Sequence, residues 1–350
     1  MTQRAREAKT VVEENVWRRR GAAWLVALAT PLLVVGCGNP KPAPPPSLVA
    51  DPPPTDDGRA PGAGQSDVDR AIAYIEKEAW EKALPHLDTA LEAQPGNAEI
   101  HYYRALAQSR LGSIPAARAG FEKALELDPG LTLARAHLAE IYLTSDPVAS
   151  AEAVDVLGPA VKAEPQAPDL QQLLGFAYRM EGKYDQSAKH YKASLSAKDD
   201  DQVRFDYADM LFEAKRFDES AAQMRKLLPK FAKDKKVLAQ LAHRLAKAKA
   251  FDDCVDAFTK AIALDAKEPG FHLHRGLCQH SLKKEKLARA DYQKAIDIDA
   301  EFQPAWYYMG MSWLEDQKRT QARQALDRAH KLDPGSKVGK AAKAKLAELR

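Results

Sequence analysis

The 350-residue chain is 45% hydrophobic and 29% charged, an ordinary composition for a folded, soluble protein. Its formal charge of +3 is an N-terminal effect: residues 1–37 hold six basic and three acidic side chains, and without them 46 basic residues face 46 acidic ones. A neutral remainder gives no electrostatic case for nucleic-acid binding, and the length suggests about two domains.

The first element is an export signal. Arg18, Arg19 and Arg20 precede an apolar run from Gly21 to Val35, fifteen residues that suit a signal core and are short for a membrane span. The run ends Val34-Val35-Gly36-Cys37, which resembles a bacterial lipobox with Val where Leu is usual. The resemblance implies that residues 1–36 are a signal peptide. It also implies that Cys37 carries lipid, palmitate included, and attaches the mature chain to a membrane. Gly38 stands where the enteric sorting rule would need Asp for inner-membrane retention. That favours the outer membrane facing the periplasm, with the inner membrane left open. An uncleaved signal anchor and an ordinary secretory signal are the other readings of the same stretch.

Residues 37–63 read as the lipidated Cys and a spacer. Nine prolines fall between Gly38 and Ser66, with almost nothing to bury. In polyproline geometry such a stretch reaches at most ~90 Å at ~3.1 Å per residue.

From residue 64 to 336 one phrase recurs. "FEKALELDPG" at Phe121 is matched by "LDTALEAQPG", "FTKAIALDAK", "YQKAIDIDAE" and "LDRAHKLDPG". Aligning them gives eight units that start near 64, 98, 132, 168, 201, 235, 269 and 303. Position 8 of each unit is small: Ala71, Ala105, Ala139, Gly175, Ala208, Ala242, Gly276 and Gly310. So is a position near 20: Ala83, Ala117, Ala153, Ser187, Ser220, Cys254, Ala288 and Ala322. Small side chains at these two places let two helices of one unit approach closely, while Leu87, Phe121, Leu157, Tyr191, Phe258 and Tyr292 fill the gaps. This period with two helices per unit resembles the tetratricopeptide repeat. The resemblance implies an all-α fold, a right-handed superhelical solenoid of about eight helix pairs, closed by a capping helix over 337–350.

Three departures carry structural expectations. The third unit has two extra residues within Thr144–Ser150, which predicts a longer turn. Pro85 and Pro159 fall inside second helices and predict kinks. Pro229 and the oversized Leu227 predict that the fifth unit's second helix ends early.

No motif assembles a catalytic centre: there is no Gly-rich phosphate loop, no HExxH and no nucleophile elbow. The expectation is therefore no enzyme, no catalytic residue, no cofactor, no metal and no small-molecule substrate. In "HLHRGLCQH", His274 and Cys278 share a helix face, but His272 and His280 are rotated away from it. Cys254 sits at a small-residue position as a small hydrophobe. A disulfide with Cys278 is open, since an oxidising compartment would permit it.

The resemblance also implies where a partner binds: a protein or peptide on the concave wall built from first helices. Positions 5, 9 and 12 of each unit form one stripe. The candidates there are Tyr102, Leu106, Phe176, Arg179, Phe205, Phe212, Leu277, Tyr307 and Met311. The chaperone-tail clamp of the family needs Lys and Asn where this chain has Val68 and Ile72. Taken together, the sequence points to a non-catalytic, lipid-anchored scaffold in envelope assembly, similar to the repeat lipoproteins that assist pilus or secretin assembly. The alternatives are a signal-anchored inner-membrane adaptor, a helical-repeat RNA reader, and an enzyme whose site is scattered over the repeats.

Overall fold

The computed structural model of the chain describes residues 66–349. The export signal, Cys37 and the Pro-rich spacer lie outside the described residues. Within them the fold is all-α, as expected, with no strand.

Eight helix pairs follow one another, then a last single helix. The pairs are α1 (Asp67–Glu76) with α2 (Trp80–Ala93), α3 (Ala98–Arg110) with α4 (Ile114–Leu127), α5 (Thr132–Thr144) with α6 (Ser150–Ala163), and α7 (Pro168–Met180) with α8 (Tyr184–Ala197). Then come α9 (Asp201–Glu213) with α10 (Phe217–Leu227), α11 (Lys235–Lys247) with α12 (Phe251–Leu264), α13 (Pro269–Ser281) with α14 (Glu285–Ile298), and α15 (Gln303–Glu315) with α16 (Arg319–Leu332). The single helix is α17 (Lys337–Glu348). The chain divides into two compact units at Val203/Arg204, inside α9.

The pairing follows from the small residues. Ala71, Ala105, Ala139, Ala208 and Ala242 are fully buried, as are Ala83, Ala117, Ala153, Ser187, Ser220, Cys254, Ala288 and Ala322. A Cβ added at Gly276 would lie 2.6 Å from the Tyr292 ring, and one at Gly310 would lie 2.7 Å from Leu326. The helices of a pair thus touch where no larger side chain fits. Two serines at these positions also find a partner: Ser187 Oγ donates to the Gly175 carbonyl and Ser220 Oγ to the Ala208 carbonyl, each at 2.7 Å. A buried hydroxyl without such an acceptor would cost ~1–3 kcal/mol.

The turn inside a pair is also repeated. One residue adopts positive φ in seven of the eight: Glu78, Gly112, Gly182, Lys215, Lys249, Lys283 and Gln317. The next residue's N–H then reaches the carbonyl five places back, as in Ser113 to Gln108, Lys183 to Tyr178, Ala250 to Leu245 and Lys284 to Gln279. This left-handed cap satisfies carbonyls that the ending helix leaves open. The third pair is the exception. Its two extra residues form a turn over 145–149 in which the Ala149 N–H reaches the Tyr142 carbonyl at 3.0 Å.

Between pairs, the recurring "LDPG" is a polar stop. The Oδ1 atoms of Asp128, Asp265, Asp299 and Asp333 accept from the N–H two residues on, in Gly130, Lys267, Glu301 and Gly335. An Asx turn of this kind diverts the backbone from further helix.

The early stop at Pro229 is present. α10 is 11 residues long where every other second helix has 14, and it stops at Leu227, two residues before Pro229. Leu227 and Leu228 are buried there. Pro85 and Pro159 lie inside α2 and α6, each a 14-residue helix.

Each unit has its own apolar interior. Residues 66–203 enclose one continuous cluster running from Ala71 through Leu87, Phe121 and Leu157 to Ala177. In residues 204–349 clusters run from Phe205 to Cys278, around Leu273, Tyr292 and Met309, and under α17 around Leu326 and Ala342.

Candidate partner-binding surface

The nine groove candidates fall into two sets. Tyr102, Leu106 and Phe205 are only 5%, 1% and 3% exposed, so they are core side chains and not a surface that a partner could touch. The reason is neighbouring rings. Tyr102 lies 5.9 Å from Phe121 and 6.0 Å from His137 of the following pair, and Phe205 lies 5.9 Å from Phe231, in the loop that the short α10 leaves behind. The Arg244 guanidinium also lies over the Phe205 ring, 5.7 Å from its centroid.

Phe176, Arg179, Phe212, Leu277, Tyr307 and Met311 keep partial exposure. Phe176 packs beside the interior of residues 66–203 from α7. Phe212, on α9, meets Phe217 at 5.2 Å, and Tyr307, on α15, meets Tyr308 edge-on at 5.2 Å. Leu277 packs beside the Tyr292 cluster with Trp306 and Trp313. All of these but Arg179 offer an apolar surface to solvent from a first helix. Cys37 lies outside the described residues.

Three groupings around α13–α15 escaped the sequence reading. The first is a histidine pair. His243 and His274 sit edge to face with ring centroids 4.4 Å apart, and His274 stacks on Phe258 at 5.7 Å. Burial, helped by the neighbouring His243, pushes the His274 imidazole down to about 4. Burial also lowers His243, with a smaller push from Lys247. The second is Asp291, which takes a two-pronged contact from Arg275 at 2.8 and 2.7 Å in a nearly dry setting. It is a structural ion pair between the helices of one unit. The third is His280 at the end of α13. Its Nδ1 lies 3.0 Å from Glu285 Oε2 and its Nε2 lies 3.2 Å from Glu315 Oε1.

The two cysteines beside these groups are joined. Cys254 of α12 and Cys278 of α13 form a disulfide with Cα atoms 6.3 Å apart. It therefore links one repeat to the next. Position 20 of the sixth unit is still a small-residue site, but its sulfur is used for a covalent bond.

No described helix is long and apolar enough to cross a membrane. The family model described as tetratricopeptide repeat matches residues 68–132, 181–235 and 240–303, and a second model of the same description matches 304–336. No curated protein sequence matches the chain significantly. Among solved structures, Naa15/Naa10 bound to HypK-THB is similar with a TM-score of 0.52 at 14% identity, covering 81% of this chain and 44% of that one. A tetratricopeptide repeat protein from Parabacteroides merdae gives 0.47 at 14% identity, covering 70% and 97%. Yeast Tom70 gives 0.43 at 15% identity, covering 85% and 67%. At such identities the likeness is one of fold.

Proposed function

The chain belongs to the tetratricopeptide repeat family, and we propose on that premise that it is a lipid-anchored, non-catalytic scaffold of a bacterial cell envelope. The repeats make it a protein–protein interaction scaffold. The finer reading adds an anchor and a surface.

The observation that carries the surface is the partial exposure of Phe212, Leu277, Tyr307 and Met311 on the first helices α9, α13 and α15. Apolar side chains that remain wet after their own repeats have packed are available to an incoming apolar peptide. The lipobox-like Val34–Cys37 supports the anchor, and the Pro-rich stretch behind it supports a folded part held away from the bilayer. The ionisable groups that cluster in the described residues are mostly engaged with one another, as Asp291 is with Arg275, which favours a structural over a catalytic use.

The test is recovery of partners from crosslinked envelopes. A Phe212→Ala/Tyr307→Ala/Met311→Ala chain is expected to melt close to wild type and to lose the partner. Recovery of the same partner at wild-type yield would remove this surface from consideration. Fractionation of Cys37→Ala tests the anchor separately. A soluble product supports lipid attachment, and a product that stays with the membrane favours the signal-anchored adaptor.

A further inference from the structure

We infer that His280, Glu285 and Glu315 hold a divalent transition-metal ion, with Zn²⁺ the fitting chemistry. The three residues come from three different helices: the last turn of α13, the first residue of α14 and the last residue of α15. One ligand atom from each lies within 4.8 Å of the others, so a single ion can reach all three.

The argument starts from a proton count. A neutral imidazole has one N–H. Here both ring nitrogens face carboxylate oxygens, at 3.0 and 3.2 Å. One N–H serves one carboxylate, and the other nitrogen then turns a lone pair toward an anionic oxygen. Something positive must stand on that side, either a second proton or a metal ion. Tetrahedral zinc ligands at ~2.0–2.2 Å from one ion are about 3.3–3.6 Å apart, a few tenths of an ångström more than the 3.0 Å between Nδ1 and Glu285 Oε2.

A second observation selects the ion and its side. Glu285 Oε2 accepts from Ser312 Oγ at 2.7 Å, and that hydroxyl in turn accepts from Arg289 at 3.0 Å. The other oxygen, Oε1, is out of contact with solvent and has no hydrogen-bond partner. A buried, unpartnered carboxylate oxygen is costly. Ordinary neighbours do not relieve it. Arg289 is committed to Asp316 at 2.6 Å and to Ser312, and Lys283 lies 3.8 Å from the more exposed Glu315. An ion between Nδ1 and the Glu285 carboxylate would use that open oxygen. Glu315, whose carboxylate has a ligand atom within 4.8 Å of those of both other residues, would supply the third ligand. One imidazole with two carboxylates suits Zn²⁺ better than Mg²⁺ or Ca²⁺, which prefer all-oxygen shells. On binding, the ion replaces a proton at the nitrogen that it takes, and that proton is released to water. Affinity is therefore expected to fall as the solution is acidified. The inference runs against the sequence expectation of no metal.

Calorimetric titration of the full-length chain with ZnCl₂ tests it, with MgCl₂ as the contrast. A Cys37→Ser background under non-reducing conditions leaves no free thiol to compete. One equivalent of zinc is expected to bind saturably, with magnesium silent. Glu285→Gln should abolish the event, and Glu315→Gln should weaken it by about tenfold or more. Both variants should keep a wild-type apo melt. If Glu285→Gln fails to fold, the half-exposed Glu315 still decides the matter. No saturable zinc binding would overturn the inference, and so would binding that Glu315→Gln leaves unchanged.

Discussion

Residues 66–203 and 204–349 repeat one packing scheme and differ in almost everything outside it. The small positions of both are fully buried, and a large ring or leucine sits opposite in each. Yet residues 67–203 carry 14 basic against 22 acidic side chains, a net −8, while residues 204–350 carry 30 against 21, a net +9. The first unit has glycine in two of its left-handed turns, at Gly112 and Gly182. The second has a shortened helix, lysines in those turns, a disulfide and a partly buried histidine pair. The lesson is that helix contact constrains only a few places per repeat. The rest is open to divergence, and a balanced total charge conceals two oppositely charged halves.

The sharpest way to break this comparison is at the shared positions. Phe121→Ala in the first unit and Phe258→Ala in the second should each cost ~3–5 kcal/mol, read by chemical denaturation with helicity as signal. Costs that differ severalfold between them would mean that the two units do not use the scheme equally. Next is the disulfide, which closes a separation of 24 residues. Reduction, or Cys254→Ser with Cys278→Ser, should remove ~3 kcal/mol from the second unit alone. Limited proteolysis would show which half opens first, and early cleavage within 66–203 would contradict the assignment.

Acid gives a third contrast. The His274 imidazole titrates near 6.5 when unfolded and at about 4 when folded, so between these values the unfolded chain binds more protons. Its contribution is complete above about pH 6.5 and is lost as pH falls toward 4. The loss amounts to ~3 kcal/mol in the second unit. His190 of the first unit, also lowered by burial, acts with the same sign. Melting of His274→Phe should be flatter across this window, and an unchanged slope would remove His274 as the cause. The smallest effect concerns the turns. Lys249→Gly and Lys283→Gly should each gain up to ~1 kcal/mol by relieving positive φ, and Gly112→Ala and Gly182→Ala should lose about as much. Urea midpoints would resolve the sign.

The repeat was legible because its signal is steric and local: Ala105 with Ala117, or Gly310 with Ala322, can be read without knowing anything distant. The stop at Pro229 was legible for the same reason. Burial across repeats was not. Positions 5 and 9 form a clean stripe on an isolated helix, yet Tyr102 is covered by His137 of the next pair, and Phe205 by a ring from a loop 26 residues on. The His280 cluster was hidden in another way. Helical spacing reports only partners on the same helix, whereas Glu285 and Glu315 arrive from the next two.

The bond between Cys254 and Cys278 also changes how the chain would yield to force. Stretched from its two ends, a stack of pairs should unravel stepwise, each 34-residue repeat releasing about 110–120 Å of contour at ~3.3–3.6 Å per residue. The oxidised chain cannot pay out the 24 residues between its cysteines. Its fully extended length is therefore short by roughly 80 Å, and the tension passes through sulfur where it would otherwise run along the α12–α13 backbone. In a single-molecule trace, one step would be missing most of its length, and adding a reductant would restore it.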